Sequence, residues 1–305
     1  MALFTPERTG LLRHAHTFHL GVAGAESNVA IGIRRLGGRS AWIGRVGDDE
    51  LGRLVLRTLA AEGVDLQGTY ADAEAPTGLM IKEHRMPTVT RVTYYRAGSA
   101  GSRLRPEDVP ADLVRAARAV HVTGITPALS GTARDAVYAA METARAAGVT
   151  VSLDFNYRSA LWNAAAAGKE LRALTALADV VFATVAEARL VTDGAAPAHL
   201  AAEIAALGPR HTLIKLGERG VVAHCDGQPY EYAALPVSVV DPVGAGDAFA
   251  AAYLVEFGLG RPVDECLTTA VTAGAFAVTV PGDWEGMPSR AELDLLRADD
   301  DPVLR

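Results

Sequence analysis

The densest chemical signal in the chain is the string Asp241-Pro242-Val243-Gly244-Ala245-Gly246-Asp247, followed by Ala248-Phe249-Ala250-Ala251-Ala252-Tyr253. A strand-like run at 237–240 enters it, and a small-residue helical pattern leaves it. Gly244 and Gly246 permit a tight turn with no side chain over the backbone. The N–H groups at the start of the following helix then point at one spot. That spot carries the positive end of the helix dipole and suits a phosphate. Asp247, in the first helical turn, is either a favourable N-terminal charge and no more, or a working carboxylate. An isolated Gly-x-Gly-Asp would read as the former; the seven-residue string is far more specific.

Elements of a regular kind must hold that turn. Short β-branched runs read as strands at 41–46, 119–122, 149–154, 180–183 and 212–215. Between them lie stretches with helical spacing at 27–36, 50–62, 132–147, 203–207, 247–257 and 263–280. Gly37 and Gly148 follow the helical runs as C-terminal stops. Such alternation predicts an α/β fold, a mostly parallel sheet with helices on both faces. Ligands in such folds bind at the carboxyl ends of the strands. Residues 66–98 break the alternation. They hold strand-like runs at 78–83 and 90–95 around a turn at Met86-Pro87, and 11–20 offers a further strand. This reads as a small β appendage or, equally, an ordinary surface hairpin. Asp299-Asp300-Asp301 reads as a solvated tail.

The 305 residues suffice for a large core, as one α/β domain with an appendage or as two domains. The formal charge of −7 gives no electrostatic reason to expect nucleic acid or an acidic membrane as partner. Cys225 and Cys266 lie far apart and form no Cys-x-x-Cys pair, which argues against a disulfide framework or structural zinc and for a reducing compartment. With no apolar run long enough to span a bilayer and a polar N-terminus, the cytoplasm is the expected location.

The string at 241–247 with its small-residue helix resembles the nucleotide signature of the ribokinase-like (PfkB-type) carbohydrate kinases. The resemblance implies a doubly wound ribokinase-like fold with a β-sheet lid, and ATP and Mg²⁺ as cosubstrate and cofactor. It makes Gly244, Ala245 and Gly246 an anion hole for the transferred phosphoryl group. Asp247 becomes the base that takes the proton from the sugar hydroxyl. Both roles suit phosphoryl transfer, which is mostly positioning and charge stabilisation. Gly21-Val22-Ala23-Gly24-Ala25-Glu26-Ser27-Asn28 is similar to the family's Gly-Gly/Asn segment, with Ala23 in place of its first Gly. Gly24 and Asn28 are thereby implied in substrate binding; Asn28 alternatively satisfies local backbone at a helix start. The segment 44–52 matches a structural stretch, with Asp48 or Asp49 capping the next helix. In Lys215-Leu216-Gly217-Glu218-Arg219-Gly220, the resemblance places Lys215, Gly217 and Gly220 at the nucleotide; without it the segment is a plain turn. Gly274 in Ala273-Gly274-Ala275 is implied at the adenine, or is a close helix contact. Thr184-Val185-Ala186-Glu187 occupies the family's Asn-x-x-Glu position, which implies Glu187 at the metal through water, with Thr184 in place of the Asn.

The resemblance covers nearly the whole chain and, within the family, is closest to the 2-keto-3-deoxygluconate kinases. Three segments carry this: 92–102, 124–130 and 154–158 with Leu161-Trp162. It implies a sugar-acid substrate bound by Tyr94, Arg96, Ile125 and Arg158. A guanidinium binds a carboxylate through two parallel hydrogen bonds, which a neutral sugar does not require. Tyr94 and Tyr95 alternate on a strand, so the alternative is that at least one of them only packs or stabilises the lid, and Arg158 is alternatively a structural ion-pair partner. Met80 stands where the subgroup can carry a tyrosine. The appendage (11–20 and 66–98) is implied to be a lid that excludes water and pairs with a second copy in a homo-oligomer. The family also has a buried strand ahead of the segment matching Ala2-Leu3-Phe4-Thr5-Pro6. Only 23 residues precede Gly24, so the expectation is a native start further upstream. The implied activity is ATP-dependent phosphorylation of 2-keto-3-deoxygluconate. The alternatives are a kinase for ribose, fructose or another keto acid, or a binding protein without turnover. A dehydrogenase is disfavoured because no Gly-x-Gly-x-x-Gly follows an early strand.

Overall fold

The computed structural model describes residues 1–86 and 89–296. In chain order the strands are β1 (Ala2–Pro6), β2 (Phe18–Val22), β3 (Ala41–Gly47), β4 (Asp65–Asp72), β5 (Leu79–Met86), β6 (Val89–Tyr95), β7 (Ala119–Thr123), β8 (Thr150–Asp154), β9 (Val180–Thr184), β10 (His211–Lys215), β11 (Val221–Cys225) and β12 (Gln228–Tyr232). The helices are α1 (Ala25–Arg35), α2 (Glu50–Ala61), α3 (Ala111–Ala116), α4 (Gly131–Ala146), α5 (Ala164–Thr175), α6 (Val185–Ala188), α7 (Pro197–Ala205), α8 (Ala245–Gly258) and α9 (Val263–Ala277).

The main sheet has the order β12-β11-β10-β9-β8-β7. β7 to β10 run parallel, and β11 and β12 add an antiparallel edge. Its central strands are apolar on both faces, as a sheet covered twice must be. Val180 and Phe182 of β9 join the cluster formed with α8 and α9, whereas Val181 and Ala183 join the opposite cluster with α4, α5 and α7. The helix α8 is buried from Ala248 to Glu256, apolar all round, and runs between α1, α9 and the sheet. Phe182 meets Phe249 and Tyr253 of α8 edge to face. The doubly wound α/β architecture expected from the alternation is therefore present.

A second, four-stranded sheet has the order β2-β1-β5-β6. β1 lies antiparallel to β2 and parallel to β5, with Leu3 opposite Met80 and Met80 opposite Tyr94. Leu3, Met80 and Tyr94 cluster together on one face with Ala23. Several expectations need correction here. Residues 11–20 are not one strand: a 3-10 turn covers Leu12–His14 and the strand begins only at Phe18. The segment β4, expected in the appendage, pairs in parallel with β3 instead. Leu66 packs there beside Val46, Val55 and Leu59, so burial against α2 decides the partner. β1 is a strand of the second sheet that periodicity over five residues did not reveal. The helix expected at 203–207 runs Pro197–Ala205, with Pro197 in its first turn. α5 went unread although Asn163 caps it, accepting from the Ala166 amide at 2.9 Å. Pro87 of the expected turn and the tail at 299–301 lie outside the described residues.

Candidate active site

The carboxyl ends of the parallel strands present Thr123, Asp154, Thr184 and Lys215 in neighbouring register. Above them, α8 starts at Ala245 with Gly244 as its N-cap in the left-handed region, φ 82°. A Cβ at Gly244 would run into the Asp283 carbonyl oxygen, so glycine is required both by conformation and by space. A Cβ at Gly246 would stand 3.2 Å from the Lys215 ammonium. The first amides of α8 thus open beside a half-buried lysine, which is an anion cradle by construction.

Asp247, half-buried, lies in the first turn of α8. Asn28 Nδ2 donates to its Oδ2 at 2.8 Å. Burial pushes the Asp247 carboxyl up to about 7, with Asp154 and Asp283 adding to the rise and the Asn28 hydrogen bond and Lys215 opposing it. A base that exchanges its proton near neutrality is what proton abstraction from an alcohol calls for. Asn28, expected at a sugar hydroxyl, is thus bonded through its amide nitrogen to the Asp247 carboxylate. Its Oδ1 is buried without a partner among the described residues and remains an open acceptor. Gly24 caps α1, and its carbonyl accepts from Ser27 Oγ and the Asn28 amide.

Lys215 donates to Asp154 Oδ2 at 2.6 Å. Burial works against its charge, yet Asp154, Glu187 and Asp247 more than compensate, and its pKa is raised. The lysine is held charged beside the cradle. Gly217 and Gly220 bound a 3-10 turn directly after β10, both at positive φ. Gly274 of α9 faces the start of α8, where a Cβ would stand 3.4 Å from the Ala245 carbonyl oxygen. Glu187 and Thr184 form a capping box: Glu187 Oε2 accepts from the Thr184 amide and hydroxyl, and Oε1 from the Tyr157 amide at 2.8 Å. Thr184 thereby has a clear local role, and Glu187 ties β9 to the loop after β8. Among the described residues no group of three or more His, Cys, Asp or Glu side chains is arranged to hold a metal.

Across the site, Arg96 is 8% exposed, and its guanidinium lies 4.2 Å over the Tyr94 ring. Its Nε and Nη2 are buried with no hydrogen-bond partner among the described residues. Burial lowers its pKa, Tyr94 and Glu26 act the other way, and the nearby Arg158 charge lowers it further. Two guanidinium groups are therefore close enough to sense each other, Arg96 buried and Arg158 exposed. Tyr94 is half-buried toward the interior, while Tyr95 is 58% exposed on the other face. Ile125 is half-buried in the loop after β7, its amide bonded to Thr123 Oγ1 at 3.1 Å.

Four residues here were not singled out from sequence. Glu26 accepts from the hydroxyls of Thr123 and Thr126, each at 2.7 Å, and so fastens α1 to the Ile125 loop. Asp154 holds Lys215. Lys82 and Asp283 meet beside the turn, Lys82 Nζ standing 3.3 Å from Asp283 Oδ1. An acidic residue closing a buried apolar strand was a legible signal for Asp154. Lys82 and Asp283 are joined only by the tertiary fold.

A family model described as pfkB family carbohydrate kinase matches residues 2–290. The chain is 38% identical to the 2-dehydro-3-deoxygluconokinase of Bacillus subtilis (strain 168), over 96% of this chain and 91% of that protein. It is 36% identical to the 2-dehydro-3-deoxygalactonokinase of Haloferax volcanii, over 93% and 90%. The crystal structure of a PfkB protein from Polaromonas sp. JS666 superposes with a TM-score of 0.88 at 36% identity, covering 96% of both chains. The glycine turn, the carboxylate behind it and these full-length similarities agree, and the chain belongs to the pfkB family of carbohydrate kinases.

Proposed function

We propose that the protein transfers the γ-phosphoryl group of ATP to the terminal hydroxyl of 2-dehydro-3-deoxygluconate. The observation that carries the acidic substrate is Arg96, a buried guanidinium with two unpartnered nitrogens. A buried cation of this kind is costly unless a ligand completes it, and a planar carboxylate matches its fork. Arg158 adds a second positive charge. The names of the relatives support the same class of keto-deoxy acid.

Asp247, aligned by Asn28, accepts the hydroxyl proton as the sugar oxygen bonds to the γ-phosphorus. The bond from that phosphorus to the β-phosphate bridging oxygen breaks, and ADP leaves. The amides of Ala245 and Gly246 and the Lys215 ammonium stabilise the charge on the phosphoryl oxygens. Gly217, Gly220 and Gly274 leave room for the nucleotide. Mg²⁺, when bound, neutralises phosphate charge. The ion would be held mainly by the nucleotide phosphates and water, with Glu187 as the protein residue that would hold it through water. The second sheet acts as a lid over the sugar. Its outward face, with Phe18, Leu20 and Tyr95 exposed, serves a homo-oligomer.

The test is ADP release from Mg²⁺-ATP with 2-dehydro-3-deoxygluconate, its galactonate epimer, gluconate, ribose and fructose. The reading predicts turnover with the keto-deoxy acids. The Haloferax volcanii relative makes the epimer the second candidate, and a preference for it would move only the hydroxyl stereochemistry. Turnover with a neutral sugar alone would remove the roles of Arg96 and Arg158.

A further inference from the structure

Lys82 projects from the lid strand β5 on the face it shares with Met80, and its side chain is 2% exposed. Its ammonium donates to Asp241 Oδ2 at 2.5 Å and to Asp283 Oδ1 at 3.3 Å. These carboxylates bracket the anion cradle. Asp241 opens the glycine turn, and its oxygens also accept from the amides of Val243 at 3.2 Å and Gly282 at 3.3 Å. Asp283 belongs to the C-terminal loop whose carbonyl presses on Gly244. One ammonium thus joins three segments distant in sequence: the lid, the turn and the loop behind it.

Adhesion alone does not require such an arrangement. The lid already has an apolar inward face in Leu3, Met80 and Tyr94. A buried ion pair is seldom better for stability than apolar packing of the same volume, because desolvation offsets the attraction. What the pair adds is direction. The lysine on β5 is bonded to both carboxylates, so the place of that strand and the place of the turn share one ammonium.

We propose that Lys82 is a positioning residue that couples seating of the lid to the shape of the phosphoryl-binding turn. The lid covers the sugar while the turn cradles the phosphoryl group, so the coupling makes the cradle complete only under a closed lid. Water is then excluded whenever the turn is competent. The inference rests on the kinase reading, which turnover by the unaltered protein tests by itself.

Hydrogen exchange of the unaltered protein, with and without a Mg²⁺-bound non-hydrolysable ATP analogue and with no sugar present, is the first measurement. Coupling predicts that amides at 79–83 slow by about threefold or more when the turn is occupied, and that Lys82→Gln abolishes this. Kinetics of Lys82→Gln and Lys82→Met follow. The expected result is a loss of kcat of about 100-fold, as for a misplaced reacting group, with the sugar KM changed by less than about threefold. Lys82→Arg, which keeps the charge, is expected to recover most of kcat. An unchanged exchange rate in the unaltered protein overturns the proposal, and so does a folded neutral variant with ordinary kcat. If the neutral variants do not fold, the exchange result decides alone.

Discussion

At the residue scale, the half-buried Asp247 and the buried Arg96 have opposite needs. Asp247 is held near neutrality by burial, so kcat/KM is expected to fall as pH drops through about 7 and to level off above it. Asp247→Asn should lower kcat by about 10²–10⁴-fold, the usual worth of a general base. The same burial has a stability consequence of definite sign. The folded pKa lies above the ordinary carboxylate value, so Asp247 favours the native state at low pH and that contribution is lost as pH rises through about 7. Asp247→Asn should therefore raise the unfolding temperature at pH 8 more than at pH 5, as thermal denaturation at the two values would check. Arg96 lacks hydrogen-bond partners for Nε and Nη2 among the described residues. Arg96→Met should raise KM for the keto-deoxy acid by about thirtyfold or more, in line with loss of a buried charge pair. Its unfolding temperature in the absence of substrate should not fall, because an unpaired buried cation has been removed. A variant with unchanged KM would place the carboxylate elsewhere.

At the element scale, the site depends on how α1, α8 and the strand ends are fastened together. Glu26 in the first turn of α1 holds the hydroxyls of Thr123 and Thr126, while Asn28, two residues on, holds Asp247 on α8. Glu26→Ala leaves two hydroxyls without their acceptor and is expected to cost about 1–3 kcal/mol of stability. It should also raise the sugar KM by freeing the Ile125 loop, whereas Glu26→Gln, which keeps an acceptor oxygen, should do less. Equal KM values for Glu26→Ala and the unaltered protein would sever that link. Much of this frame was readable in advance. The glycine turn, the parallel strands and the helices with clear stops follow from local spacing. Gly244 belongs to that turn, and there space and conformation both demand glycine. Asn28 was singled out, but its bond to Asp247 was not, because a bond between positions 28 and 247 leaves no periodic trace. Glu26 was not singled out, because the hydroxyls that donate to it lie beyond α1, at the end of β7 and in the loop after it. Tyr94 and Tyr95 could not be sorted until the register with Met80 fixed which one faces inward.

At the scale of the whole molecule, the proposed reading divides the work between the two sheets, one building the cradle and the other covering it. The lid was misjudged in extent for a physical reason. β4 and the lid strands are alike in composition, and only burial of Leu66 against α2 separates them. β1 is too short for periodicity to mark, and its place is set by pairing with β2 and β5. The exposed Phe18 and Leu20 lie on the same face of β2, opposite Pro6 and Phe4. An apolar strip of that kind predicts self-association through the lid. Leu20→Glu should shift sedimentation of the protein toward the monomer, and an unaltered protein that is monomeric at all concentrations would remove the oligomer from the account.

The most direct test of the central claim follows phosphorus rather than ADP. A ³¹P NMR time course of Mg²⁺-ATP with 2-dehydro-3-deoxygluconate would be recorded for the unaltered protein and for Asp247→Asn. The account predicts ADP and one phosphomonoester in equal amounts, the ester resonance split into a triplet by the two protons of a terminal CH₂ group, with formation nearly abolished in the variant. Inorganic phosphate in place of the ester, or an ester formed equally fast by Asp247→Asn, would contradict it.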